Sequence, residues 1–221
     1  MPPVRLCRVC PSGMDQGTRS DRINRMRATM PSHAPTNQRV KMTDQMLEQW
    51  LKTEQDILAM HARGPGPGVA DLRAVARQNG LETMQTVLNG SAPTPTIGHS
   101  MHFLLVEVSS GRAVFQGSPG PNFLNPMGTI HGGWYATLLD SAMGCAVHTM
   151  MPAGRAYTTA ELSVNIVKAL SPKVQRVRAI GQVLHCGRQL ATAEAKLVGP
   201  DGTLYAHGTS TCLVFDLPTP S

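Results

Sequence analysis

The sequence predicts an α+β fold: an antiparallel β-sheet packed on a single long helix, with further helices ahead of it. Three observations carry this. Apolar residues recur near helical spacing from Thr43 to Leu88. From His102 the period changes to two, the alternation of a half-buried strand. Between the second and third strand-like runs lies Gly132 to Met150, an apolar segment too long for a strand. Two strands, one helix and then four strands describe an antiparallel sheet with the helix on one face.

Residues 1–41 contain Pro2, Pro3, Pro11, Pro31 and Pro35 and show no apolar periodicity, so they are read as a disordered basic tail. Three accounts of the tail stand side by side: translation starting later, at Met14, Met26, Met30 or Met42; an organelle transit peptide; or a nucleic-acid-binding arm. Residues 42–90 form a helical extension. Its first helix runs from Thr43 to Ala62, with Thr43 or Asp44 as cap, and stops at Arg63-Gly-Pro-Gly-Pro-Gly68. A second helical stretch, Val69 to Leu88, is interrupted at Asn79-Gly80 and ends at Asn89-Gly90. The interruption has the outline of a helix-turn-helix, but Arg73 and Arg77 alone make a poor DNA contact.

Residues 91–217 form the sheet domain. His102 to Val108 and Arg112 to Gln116 flank Ser109-Ser110-Gly111 as a hairpin. A Pro/Gly/Asn loop, Gly117 to Thr129, leads to the long helix. The four later strand-like runs are Ala156 to Ala169, Val174 to Cys186, Gln189 to Val198 and Thr203 to Phe215. With so little else to cover it, the helix is expected to be almost entirely buried.

Composition narrows the function classes. The 221 residues carry a net charge of +6 and a pI near 9.4. That charge lies in residues 1–41, where eight basic residues face two acidic ones; the remaining chain has twelve of each. A basic domain for nucleic acid is therefore not expected, and nine aromatic residues supply a poor stacking platform. No run approaches the length of a membrane helix, so no membrane partner is expected. Cys7 and Cys10 lack a second pair at zinc spacing, so no metal is expected, and five cysteines without a disulfide framework suggest the cytoplasm.

Two features of the long helix carry chemistry. Asp140 is its only Asp, Glu, Lys or Arg, and a carboxylate in an apolar setting is a functional candidate. At the other end, Gly132-Gly133 open the helix and expose unpaired N–H groups at its positive pole, suited to an oxyanion. Eight helical residues separate Gly132 from Asp140, roughly 12 Å. Both cannot reach one carbonyl within a subunit, but they could meet across a two-fold axis.

Asn125-x2-Gly128-x2-His131-Gly-Gly133 followed by Asp140 resembles the signature of the hotdog-fold thioesterases of the PaaI type. The resemblance extends over about Leu88 to Phe215 and includes Thr159-Ala-Glu161, His185-Cys-Gly187-Arg188 and Tyr205-Ala-His207-Gly208. It implies a hotdog fold, with the antiparallel sheet wrapped around one long central helix, and hydrolysis of an acyl-coenzyme A thioester. It further implies Asp140 as nucleophile or base, Gly132 N–H polarising the carbonyl, Asn125 and His131 holding the carbonyl or the attacking water, and Thr159 placing that water. Gly187 and Arg188 would contact coenzyme A. No separate cofactor is implied, since coenzyme A is part of the substrate. The assembly would be a homodimer, or a tetramer built as a dimer of dimers, with shared active sites. Each residue also has a plain structural reading: His131 as helix cap, Asn125 as turn residue, Thr159 as strand former, Gly187-Arg188 as hairpin turn. Ala169 stands where many relatives carry Pro. A hydratase would need an acid paired with His in another arrangement. A non-catalytic acyl-coenzyme A sensor, its N-terminal helices contacting a partner or DNA, is the rival from a different class.

Overall fold

The computed structural model describes residues 37–217. The reading of a disordered tail therefore falls, for residues 1–36, outside the described residues, as does the Cys7/Cys10 pair. The first helix, α1, spans Asn37–His61 and so begins six residues before Thr43. Gln38, Val40, Lys41 and Met42 are ordinary helix residues, and nothing in them stops the turn from extending backward. Leu72–Val75 (α2) is a single turn and Gly80–Leu88 (α3) is separate. The break at Asn79 is a capping box: its side chain accepts from Glu82 N–H while the Glu82 carboxylate accepts from Asn79 N–H. Thr96–Ser100 (α4), a short helix within the stretch between α3 and the sheet, was not expected from the periodicity.

The strands are β1 (Phe103–Ser109), β2 (Arg112–Gly117), β3 (Arg155–Ile166), β4 (Val177–Cys186), β5 (Leu190–Val198) and β6 (Leu204–Asp216). They form one antiparallel sheet in the order β1-β2-β4-β5-β6-β3. The long helix, α5 (Gly132–His148), lies on one face, with Trp134, Tyr135, Leu138, Leu139, Met143 and Val147 buried. Gly181 in β4 lets it approach: a Cβ there would lie 2.2 Å from the Ala142 carbonyl oxygen. This is the hotdog architecture that the resemblance implies.

Two expectations need correction. The first concerns the end of β3, expected at Ala169 but found at Ile166. Past Ile166 the backbone leaves the sheet: Val167 and Lys168 N–H both turn to the Tyr205 carbonyl, and Leu170 N–H donates to the Tyr135 hydroxyl on α5. The second concerns α5, expected to be almost wholly covered. Gly133 is exposed, and Ala136, Thr137, Asp140 and Ser141 are only half-buried. These positions share one helical stripe, which faces away from the sheet's centre and towards β3, an edge strand with its N–H and C=O row open on one side.

Helix α1 packs on the opposite face of the sheet. Trp50, Glu54 and Ile57 recur at i, i+4 and i+7; Ile57 packs with Val106 and Val114. Glu54 is bound by Arg176 through Nε at 2.6 Å and through a second guanidinium nitrogen at 2.8 Å, and it accepts from Gln116 Nε2 at 2.6 Å. Fully buried Gln116 also accepts from Arg178 Nε at 2.9 Å, and Arg178 stacks on the Trp50 ring at 4.5 Å. Losing one charged partner strands the others. Glu54→Ala is expected to lower folding stability by about 2 kcal/mol, read from the urea midpoint.

Candidate active site

The loop before α5 is organised by Asn125. Its Oδ1 accepts from Met127 N–H at 2.9 Å and Thr129 N–H at 3.2 Å, and its Nδ2 donates to Thr129 Oγ1 at 2.8 Å. Gly128, at φ +80°, closes the turn by donating to the Asn125 carbonyl. His131 N–H then donates to the Phe123 carbonyl at 2.7 Å, and His131 becomes the N-cap of α5, its Nδ1 accepting from Gly133 N–H at 2.9 Å. In this subunit the Asn125 and His131 side chains are thus engaged in shaping the loop and the cap.

Capping Gly133 leaves Gly132 distinct. Among the described residues its N–H meets no acceptor, as the first N–H of a helix has none within it. It opens on a cavity of about 260 Å³ lined by Asn125, Gly132, Tyr135, Ile166, Lys168 and Ala169, among others. Asn125 and Gly132 are therefore brought together. Tyr135 fixes the far wall: its hydroxyl holds Leu170 N–H, and the Leu170 carbonyl accepts from Ile130 N–H. Lys168, over the Tyr205 ring at 5.7 Å, brings a cation to the rim. Its part was not legible in the sequence, because only the turn after Ile166 carries it there.

Asp140 does not line this cavity. The helix is unbroken between the two residues, so the roughly 12 Å separation stands. Asp140 Oδ1 accepts from Thr159 Oγ1 at 3.0 Å across to β3. The bulge between Thr159 and Glu161 reverses the faces of β3: Thr159 pairs with Cys212 ahead of it and Leu162 with Ser210 beyond it. Asp140 is half-buried, not enclosed as the apolar sequence around it suggested, because β3 covers only one side of its stripe. Gly187 and Arg188 lie apart, in the β4–β5 turn, where Gly187 N–H donates to the Leu190 carbonyl and the Arg188 carbonyl accepts from Arg155. The exposed Arg188 side chain is free to meet solvent or a ligand.

Behind Asp140 lie Cys145, His148 and Tyr157, each partly buried. Burial, with the nearby Asp140 charge, pushes the Cys145 thiol up to about 12, and burial raises Tyr157 well above the ordinary phenol. Burial lowers the imidazole of His148, whose ring meets Tyr157 at 5.8 Å. The signs follow from linkage. The raised Cys145 contributes stability that is present below the thiol's ordinary 9.0 and lost as pH rises towards about 12; Tyr157 contributes stability present below the phenol's ordinary 10.0 and lost at higher pH. The lowered His148 contributes stability present above 6.5 and lost as pH falls below it. Urea midpoints are expected to be highest between these limits, and His148→Phe is expected to flatten the acid limb alone.

Part of the chain is similar to known proteins. Residues 127–206 match the thioesterase superfamily. That segment contains Gly132, Asp140 and Thr159 and ends in β6. Similar solved structures agree on the fold. A conserved protein from Pseudomonas aeruginosa is 27% identical, with a TM-score of 0.51, over 54% of this chain and 93% of its own. A phenylacetic acid degradation-related protein from Ralstonia eutropha JMP134 is 24% identical, TM-score 0.54, over 58% of this chain and 97% of its own. A thioesterase from Haemophilus influenzae is 14% identical, TM-score 0.53, over 63% and 92%. No curated protein matches the sequence. The thioesterase-superfamily match begins past α1 to α4, which lie outside it. Among the described residues no helix is long and apolar enough to cross a membrane.

Proposed function

We propose that this protein hydrolyses acyl-coenzyme A thioesters in sites shared between two subunits. One observation carries the proposal: α5 presents an unpaired Gly132 N–H at its start and a Thr159-held Asp140 two turns later, both beside the free edge of β3. Pairing β3 with its copy about a two-fold axis would extend the sheet and bring the Gly132 end of one α5 to Asp140 of the other. The exposed apolar residues on that edge, Leu162 and Ile166, are what such a contact would cover.

In the assembled site the thioester carbonyl oxygen accepts from Gly132 N–H, at the positive end of α5, where negative charge develops as the carbonyl becomes tetrahedral. Asp140, oriented by Thr159, either removes a proton from a water whose oxygen attacks the carbonyl carbon, or attacks that carbon itself to form an anhydride that water then hydrolyses to the free acid. Either way the carbon–sulfur bond breaks, and coenzyme A leaves as thiolate and takes up a proton. Lys168 supplies positive charge at the cavity rim for the anionic coenzyme A, and Arg188 supplies it at the β4–β5 turn. The superfamily match over residues 127–206 supports the reaction class. A non-catalytic sensor would have no use for an aspartate held by a neighbouring hydroxyl. Incubation with a panel of acyl-coenzyme A esters, with free thiol as readout, is expected to show turnover of at least one member. Absence of thiol release across aryl-acetyl and aliphatic esters would overturn the proposal.

A further inference from the structure

Strand β3 changes face at its bulge, and that change decides where Thr159 points. Beyond the bulge, Leu162, Val164 and Ile166 lie opposite Ser210, Gly208 and Ala206 and share their face, the one that meets α5. Counted back through a regular ladder, this register would set Ala160 opposite Cys212 and Thr159 opposite Leu213, on the outer face. The one extra residue moves Thr159 opposite Cys212 instead, to the side of Asp140.

A side chain of β6 holds the bulge. Ser210 is 1% exposed, and its Oγ donates to the carbonyl of Glu161, in the bulge, at 3.1 Å. The hydroxyl has a single proton, so in the 3.7 Å contact between Ser210 Oγ and Cys212 Sγ the thiol is the donor. Burial pushes the Cys212 thiol up, so it keeps the proton this contact needs. Ser210 is thus fixed on both sides of its oxygen, by the bulge carbonyl and by the register partner of Thr159. Strand β3 ends the sheet, so within the subunit β6 is the one strand that can hold it.

We propose that Ser210 is a positioning residue for the hydrolysis: by pinning the bulge it aims the Thr159 hydroxyl at Asp140. This rests on the thioesterase reading and adds to it a residue of β6 that acts through Thr159. The line runs from Ser210 Oγ to the Glu161 carbonyl at 3.1 Å, back through the bulge to Thr159, and from Thr159 Oγ1 to Asp140 Oδ1 at 3.0 Å. Without the Ser210 hydroxyl the bulge loosens, Thr159 samples other rotamers, and the Asp140 carboxylate loses its fixed orientation. Chemistry that depends on a carboxylate held in one geometry slows accordingly.

The test uses the full-length chain and free-thiol release from its best acyl-coenzyme A substrate. Ser210→Ala, which removes one oxygen from the core, is expected to lower kcat about tenfold and to leave KM within about twofold of the wild type. Because Ser210 acts through Thr159, adding Ser210→Ala to Thr159→Val is expected to change kcat by about twofold at most. A residue that merely supports the strand would lower kcat equally in both backgrounds. Either that equal loss, or a kcat for Ser210→Ala within about twofold of the wild type, would overturn the proposal. Ser210→Cys, similar in shape but a weaker donor, takes the same comparison should Ser210→Ala not fold. Should no thioester be cleaved at all, the thioesterase reading fails, and the aim of Thr159 is read by NMR from the three-bond couplings of its methyl carbon. A single Thr159 rotamer that becomes averaged in Ser210→Ala upholds Ser210 as the residue that fixes it; unchanged couplings reject it.

Discussion

Asp140→Asn is expected to reduce thiol release from the best acyl-coenzyme A substrate by about a thousandfold, the scale of a lost general base. Asparagine keeps the shape and, through its amide oxygen, still accepts from Thr159 Oγ1, so the bond now measured at 3.0 Å has a successor. Only the negative charge and the basicity disappear. Because Asp140 is half-buried and its partner is retained, the unfolding midpoint should move little, which separates loss of chemistry from loss of fold. Turnover within a few-fold of the wild type, with the fold intact, would remove Asp140 from the mechanism.

Heterodimers of Asp140→Asn with Gly132→Pro are expected to recover about half the wild-type activity, although each variant alone is nearly inactive. Proline suits the first position of a helix and deletes the N–H in question. The preceding residue already has the geometry a proline requires, since His131 sits at φ −63° and ψ 138°. Alone, Gly132→Pro should lose about a hundredfold or more in kcat, as expected for an oxyanion donor. If each site takes Gly132 from one subunit and Asp140 from the other, co-expressed and doubly tagged heterodimers hold one site with both groups and one with neither. A site contained within a single subunit has no intact copy in such a heterodimer. No recovery would therefore overturn a site shared between subunits.

Much of the fold was legible because it rests on local periodicities. The change from a 3.6-residue to a two-residue repeat at His102, the apolar length of Gly132–His148 and the turn chemistry of Gly187 and Gly202 need no tertiary information. The capping box at Asn79 is likewise a four-residue event, so the division between α2 and α3 fell where the sequence placed it. The candidate site was legible through spacing: Gly132 and Asp140 share one helix, and helix geometry sets them apart. Strand ends were less so. Val167 to Ala169 reads on as strand, yet Val167 and Lys168 N–H go to the Tyr205 carbonyl and the next residue but one, Leu170, to the Tyr135 hydroxyl, partners distant in the chain.

The sequence by itself determined the order of the elements, the helix opening at Gly132 and the position of its single acid, since each depends on residues within a few turns of one another. Tertiary structure alone decided that Asp140 is half-open and held by Thr159, that Lys168 reaches the cavity of Asn125 and Gly132, and that α1 docks on the outer sheet face through Glu54 and Arg176. These pairings join residues 19 to 122 positions apart. Which face of a strand meets which face of a helix follows from the register of the whole sheet and its bulges, and no local repeat encodes it.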